Sequence, residues 1–258
     1  PLVLAPSRPD TLYGGRNRVY RSDNEGGSWT ATQGGAPLDG GNPVIAMDVA
    51  PADDAVVYAA TAPLESRGRV FKTVDAGDTW TDITGTLPDL HPYDLSVNPH
   101  DPDEVYITFM GYENSHVFRS SDGGDQWIDL SDGLPDVPVS AVILDPDDTA
   151  IVYVGTDLGV FVSMNRGLTW EPFMDGMPTA MVTDLKIYAP DRLIRAGTHG
   201  NGVYERPLVP AGSGPTPTPT PQYGVSLEMP GTYFTPGDTF YLTAVLQNTG
   251  PPRQDVPF

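Results

Sequence analysis

Along residues 1–208 the apolar positions come in short runs rather than long stripes. They alternate with polar residues, are rich in β-branched and aromatic side chains, and are bounded by Pro, Gly and Asp. That pattern predicts strands of a few residues, each separated by a turn. No segment of about ten residues or more keeps a helical period. In one representative stretch the runs predict strands over 44–50, 56–61, 69–73 and 79–84.

The pattern repeats. Valine followed by an aromatic residue recurs at Val19-Tyr20, Val70-Phe71, Val117-Phe118, Val160-Phe161 and Val203-Tyr204. A β-rich run ending in tyrosine precedes the first four pairs, at Thr11-Leu-Tyr13, Val56-Val-Tyr58, Glu104-Val-Tyr106 and Ile151-Val-Tyr153. The fifth has Leu193-Ile-Arg195, with arginine in the tyrosine's place. After each of the first four pairs stands an octapeptide that contains all four tryptophans. The copies are Ser22-Asp-Asn-Glu-Gly-Gly-Ser-Trp29, Thr73-Val-Asp-Ala-Gly-Asp-Thr-Trp80, Ser120-Ser-Asp-Gly-Gly-Asp-Gln-Trp127 and Ser163-Met-Asn-Arg-Gly-Leu-Thr-Trp170. Four short strands in each repeat of about 40–50 residues are the signature of propeller blades. The predicted class is therefore all-β, a β-propeller with five visible units at about 1–38, 39–89, 90–135, 136–178 and 179–210. The first unit holds only the end of its inner strand. The fifth holds strands at about 183–189, 193–198 and 202–207 and no fourth. A strand from upstream would complete it, in a ring of about six to eight blades.

The octapeptide is expected to lock the hairpin between the third and fourth strands. The side chains of Asn24, Asp75, Asp122 and Asn165 can accept amides of their own turn. Gly26, Gly77, Gly124 and Gly167 supply a positive φ. Ser22, Thr73, Ser120 and Ser163 close the loop from the other side. Trp29, Trp80, Trp127 and Trp170 anchor the blade. These roles are structural. Asp122-Gly-Gly-Asp125 invites a calcium reading but lacks the distal glutamate of an EF-hand, so no cofactor or metal is expected.

The four octapeptides resemble the Asp-box (BNR) repeats of sialidases, sortilin-type receptors, xyloglucan-cleaving glycoside hydrolases and a photosystem assembly factor. The resemblance covers residues 1 to about 208, and the unit ending Gly197-Thr-His-Gly-Asn-Gly-Val-Tyr204 resembles the closing repeat of exported bacterial members. It implies a propeller and an extracellular or cell-surface setting, but not an active site. The sialidase Phe/Tyr-Arg-Ile-Pro motif has no counterpart beyond Ser7-Arg8-Pro9, and a Tyr–Glu nucleophile pair is not identifiable. The xyloglucanase-like enzymes use two aspartates, one in an N-terminal segment with no match in these residues.

Beyond the repeats, residues 211–222 alternate Pro and Thr, the composition of a semi-rigid polyproline II spacer. Residues 223–258 carry two strand-like runs, at Val225-Ser-Leu-Glu-Met and 239–246, expected to begin an immunoglobulin-like β domain. Thirty-six residues are fewer than such a sandwich needs to fold alone.

Composition narrows the partners. Asp and Glu number 34 against 14 Lys and Arg, for a formal charge of −20. A nucleic-acid partner needs a basic face, and the scattered cations provide none. No run of about 18 apolar residues could insert in a membrane. The absence of cysteine excludes disulfides and thiolate sites.

Any ligand site is expected among residues that do not repeat, on the face carrying the loops between second and third strands and between blades. Glu65, Arg67, Tyr112 and Glu113 lie in the two longest second-to-third loops, His91 and Tyr93 in an inter-blade loop, and His199 in the fifth unit. Asp94 and Asp184 stand at matching inner-strand positions where other units have alanine, and are weak candidates for acid/base chemistry on a glycoside. The expected function is a non-catalytic binding or scaffold module with a polysaccharide or cell-surface protein as partner. The alternative is a glycoside hydrolase-like enzyme.

Overall fold

The computed structural model describes residues 1–213 and the backbone of strands 223–228 and 243–248. The chain divides into two compact units, Pro1–Gly214 and Pro215–Phe258. The first unit contains five successive antiparallel sheets, each made of consecutive strands in simple meander order.

Sheet one holds β1 (Leu2–Leu4), β2 (Leu12–Gly15), β3 (Val19–Ser22) and β4 (Thr30–Ala31). Sheet two holds β5 (Val44–Val49), β6 (Val57–Thr61), β7 (Val70–Thr73) and β8 (Thr81–Asp82). Sheet three holds β9 (Pro92–Asn98), β10 (Asp101–Phe109), β11 (Val117–Ser120) and β12 (Ile128–Asp129). Sheet four holds β13 (Val139–Leu144), β14 (Val152–Thr156), β15 (Gly159–Ser163) and β16 (Glu171–Pro172). Sheet five has three strands, β17 (Val182–Tyr188), β18 (Leu193–Thr198) and β19 (Gly202–Pro207). Helix is confined, among the described residues, to two 3₁₀ turns at Gln33–Gly35 and Ala189–Asp191. This is an all-β, β-propeller-like fold with the sheets as blades. In the second unit β20 (Tyr223–Glu228) pairs antiparallel with β21 (Thr243–Asn248). The spacer reading of 211–222 falls largely, and the immunoglobulin-like reading of 223–258 apart from these two strands, outside the described residues.

The core consists of the joints between blades. One apolar cluster joins blades one and two through Tyr13, Val19, Met47, Val57 and Phe71, and blades two and three meet through Tyr58, Val70, Ile83, Ile107 and Phe118. Equivalent clusters join three to four and four to five. Middle strands β6 and β14 are buried at every residue, which accounts for their continuous apolar runs.

Three of the four tryptophans belong to joints with the preceding blade, and the expectation of an anchor within its own blade is refined accordingly. The Trp127 indole donates to the Ile83 carbonyl of the preceding blade at 2.9 Å, Trp170 to the Leu130 carbonyl at 2.7 Å, and Trp80 to Thr32 Oγ1 at 3.3 Å. Trp29 turns back onto Gly26 of its own hairpin and is 41% exposed. The tyrosines act in the opposite direction. Tyr13, Tyr58 and Tyr106 donate to carbonyls of Asp54, Pro102 and Arg166 in the following blade. At the fifth tyrosine position Arg195 instead pairs with Glu205 at 2.6 Å and lies over the Tyr188 ring.

The octapeptide hairpins share one hydrogen-bond pattern. In the third blade Ser120 donates to Asp122 and accepts the Gly124 amide, while Asp122 accepts the Gln126 amide. The same bonds recur around Ser22 and Asn24, Thr73 and Asp75, and Ser163 and Asn165. These hydrogen bonds hold the Asp75 carboxyl down at about 2, the Thr79 hydroxyl contributing most.

Candidate functional site

Backbone contacts sort the loops into two sets. The octapeptide hairpins touch the turns between first and second strands, as where the Ala76 amide bonds the Ala55 carbonyl and the Gly123 amide that of Asp103. The loops between second and third strands touch the inter-blade loops instead. There the Met110 amide bonds the His91 carbonyl and the His199 amide that of Met181.

On that second face one buried asparagine organises the second blade's long loop. Asn42 Oδ1 accepts the amides of Leu64, Glu65 and Ser66, while its Nδ2 donates to the Arg67 carbonyl and to Asp39. The Asp39 carboxylate, 8% exposed, also accepts the Thr61 hydroxyl at 2.7 Å. The Glu65 and Arg67 side chains stay exposed, and Arg67 bonds the Leu87 carbonyl.

The third blade's loop leans toward the fourth. The Glu113 amide donates to Asp136 at 2.7 Å, and the Tyr112 hydroxyl lies 3.5 Å from Asp157. Glu113 has φ +57°, a left-handed conformation that costs a non-glycine residue roughly 1–2 kcal/mol. Beneath the loop His116, 2% exposed, meets Asp136 through Nε2 at 3.0 Å, and its Nδ1 has no partner. His116, immediately before β11, is thus a buried residue although it stands in a loop. Tyr112 and Tyr93 expose 59% and 37% of their surface. His91 is half-buried with Nδ1 at its neighbour's carbonyl, whereas His199 is exposed and apart, beside Met181.

Asp94 and Asp184 differ in environment. Asp184 is exposed and paired with Lys186 at 3.0 Å. Asp94 is half-buried and uses both carboxylate oxygens, Oδ1 on the Leu95 amide and Oδ2 on the Val142 amide of the next blade. Asp48, which the repeat comparison did not single out, makes the equivalent bonds one joint earlier, to Val49 and Val97. Inner strands are edge strands with amides unpaired within their own sheets, and these carboxylates satisfy two of them at a time. Burial pushes Asp48 up to about 7 and Asp94 to about 6, against the opposing pull of the amide bonds. The Asp94 charge adds to the rise at Asp48, and Asp184 to that at Asp94, while Lys186 lowers both. Among the described residues no three His, Asp or Glu converge as metal ligands.

The fold has solved counterparts. The chain is similar to the GH74 xyloglucanase from Xanthomonas campestris at 20% identity and a TM-score of 0.63, over 79% of this chain and 35% of that one. An ancestral GH74 enzyme matches at 20% identity and 0.62, over 80% and 29%. The extracellular domain of a one component system from B. thetaiotaomicron matches at 15% and 0.57, over 90% and 29%. The chain spans about a third of the length of these structures. At such identities the likeness establishes the fold alone. No protein-family model and no curated protein sequence matches the chain.

Proposed function

We propose that the chain is an Asp-box (BNR) propeller module of a larger bacterial extracellular protein, and that it binds a polysaccharide through the loop face without cleaving it. The observation that carries this reading is the engagement of Asp94. Its Oδ1 holds the amide of Leu95 in its own strand and its Oδ2 that of Val142 across the joint, which leaves no free carboxylate poised opposite Asp184. Tyr93 and Tyr112 offer apolar ring faces on which sugars stack. Glu65, Arg67, Glu113 and His91 supply hydroxyl-binding groups elsewhere on that face, and His199 a further one in the fifth blade. The GH74 and extracellular-domain neighbours support the setting through fold only.

A glycan array probed with the full chain tests binding, and a reducing-sugar assay on the glycans it retains tests cleavage. Retention of a polysaccharide, lost in Tyr112→Ala, without release of reducing ends is the expected result. Absence of any glycan retention overturns the reading. A second reading, a glycoside hydrolase, is favoured by the raised carboxyls of Asp48 and Asp94, since an acid must hold its proton near neutrality. Release of reducing sugar that disappears in both Asp48→Asn and Asp94→Asn would establish it.

A further inference from the structure

Acidic residues outnumber Lys and Arg by 34 to 14, so a cation left without a carboxylate stands out in this chain. Among the described residues both lysines and most arginines are ion-paired, but Arg16, Arg18, Arg67 and Arg166 are not. Three of those four fall in one repeated motif. Arg16-Asn-Arg18 leads into Val19-Tyr20, and Arg67-Gly-Arg69 leads into Val70-Phe71. The same Arg-x-Arg turn thus joins the second strand to the third in blades one and two. In the other blades its first position is Asn114, Asp157 or Gly200. The blade-one turn belongs to the loop face, because the Leu38 and Val44 amides of the inter-blade segment bond the Asn17 and Arg16 carbonyls.

Blade two shows why the charge stays uncompensated. Arg69 takes the two nearby carboxylates, with Nη1 2.9 Å from Asp82 and Nε 3.6 Å from Asp39. Their remaining capacity is committed. Asp39 accepts the Asn42 amide group and the Thr61 hydroxyl, and Asp82 accepts the amide and hydroxyl of Thr84. Glu65 lies with its stem against Gly41. Arg67 donates to the Leu87 carbonyl, which fixes one side of the guanidinium while the side chain stays exposed. Arg67, Arg69, Asp82 and Thr84 line an open cavity of about 470 Å³. In blade one Arg16, Asn17 and Tyr20 line another of about 500 Å³, and Ala31 stands where blade two has Asp82. Both volumes suit a ligand pocket. The guanidinium fork matches the paired oxygens of a carboxylate or sulfate.

We propose that Arg67 and Arg16 are oxyanion-binding positions of the loop face, and that the polysaccharide bound there is acidic, bearing uronate carboxylates or sulfate esters. This rests on the reading of that face as polysaccharide-binding and names the class of glycan. Two separate arginines do not form the continuous basic face that a nucleic acid requires. They fit oxyanions spaced along a chain of sugars, and at physiological salt the field of the chain's other carboxylates is screened beyond about 8 Å.

The test presents the full chain with polygalacturonate beside its carboxyl-reduced form, and with dextran sulfate beside dextran. Preference for an acidic polymer over its neutral counterpart, weakened about tenfold in Arg67→Ala and in Arg16→Ala, is the expected result. Arg67→Lys should also bind less well than the parent, since lysine lacks the fork. Both side chains are exposed, so these variants should fold as the parent does. Arg166→Gln, which removes the unpaired arginine of an octapeptide hairpin, should change nothing. Preference for polygalacturonate alone assigns a carboxylate, and for dextran sulfate alone a sulfate ester. Equal retention of acidic and neutral polymers, or an equal loss in Arg166→Gln, overturns the inference. Neutral glycans retained by the parent and by Arg67→Ala, but lost in Tyr112→Ala, overturn it and leave the polysaccharide reading standing. Absence of any retained glycan, neutral or acidic, overturns that reading itself.

Discussion

Asp48 sits where two demands oppose each other. Two backbone amides need an acceptor, which favours the carboxylate, while burial disfavours its charge. Burial wins, so the folded state keeps a proton that the unfolded chain releases near pH 4. Stability from this source is full below about pH 4 and is lost as pH rises through 6 to 7. Asp75 has the opposite sign: its carboxyl is lowered to about 2, so its contribution is present above about pH 4 and is lost as pH falls toward 2. Urea midpoints measured between pH 5 and 8 should fall less steeply in Asp48→Asn than in the parent. Equal slopes would mean that Asp48 ionises normally. The octapeptide glycines carry a second residue-scale prediction. A Cβ on Gly124 would lie 2.5 Å from Ile83 of the preceding blade, whereas one on Gly26 meets only the Trp29 ring, at 3.7 Å. Both have positive φ. Gly26→Ala should cost about 1–2 kcal/mol of backbone strain, and Gly124→Ala about 1–3 kcal/mol more from overpacking. Urea denaturation of the two variants gives the comparison.

The strands themselves were legible from apolar alternation. The predicted 44–50, 56–61 and 69–73 appear as Val44–Val49, Val57–Thr61 and Val70–Thr73. The fourth is two residues long, Thr81–Asp82 rather than 79–84. Its alternation continues past the ladder because Ile83 leaves the strand to build the next joint, its amide on Val70 and its carbonyl under Trp127. Tryptophan at a fixed place announced a packing anchor, but which blade it anchors was not legible, since its acceptor is a main-chain carbonyl 44 residues away. Asp48 was missed for the same reason: the amide it holds is Val97's, and backbone groups leave no mark in a side-chain sequence. The loop residues were placed by their irregular lengths, and their contacts with Asn42 and Asp136 had no such signal. Seating predicts unequal costs. Trp127→Ala should lose about 3–5 kcal/mol, while the exposed Trp29→Ala should lose under about 1 kcal/mol, both read from denaturant midpoints.

Across the first unit, stability resides in the joints, so it follows a nearest-neighbour sum more than a single core. Blade three is packed on both faces, whereas among the described residues blade five is packed only against blade four. Its other face carries the Asp184–Lys186 and Arg195–Glu205 ion pairs, exposed and individually worth little. Hydrogen exchange should therefore be faster in β18 than in β10, and equal protection would argue for a shared global core. The joints also have a consequence over evolutionary time. Several of their polar bonds end on main-chain carbonyls, such as those of Ile83, Leu130, Asp54 and Pro102, rather than on particular side chains. A newly duplicated copy thus meets a neighbour it already fits, whatever that neighbour's sequence. Genes of this kind can lengthen, shorten or shuffle by recombination at repeat boundaries without inventing a new contact, and each spare copy leaves its loops free to diverge.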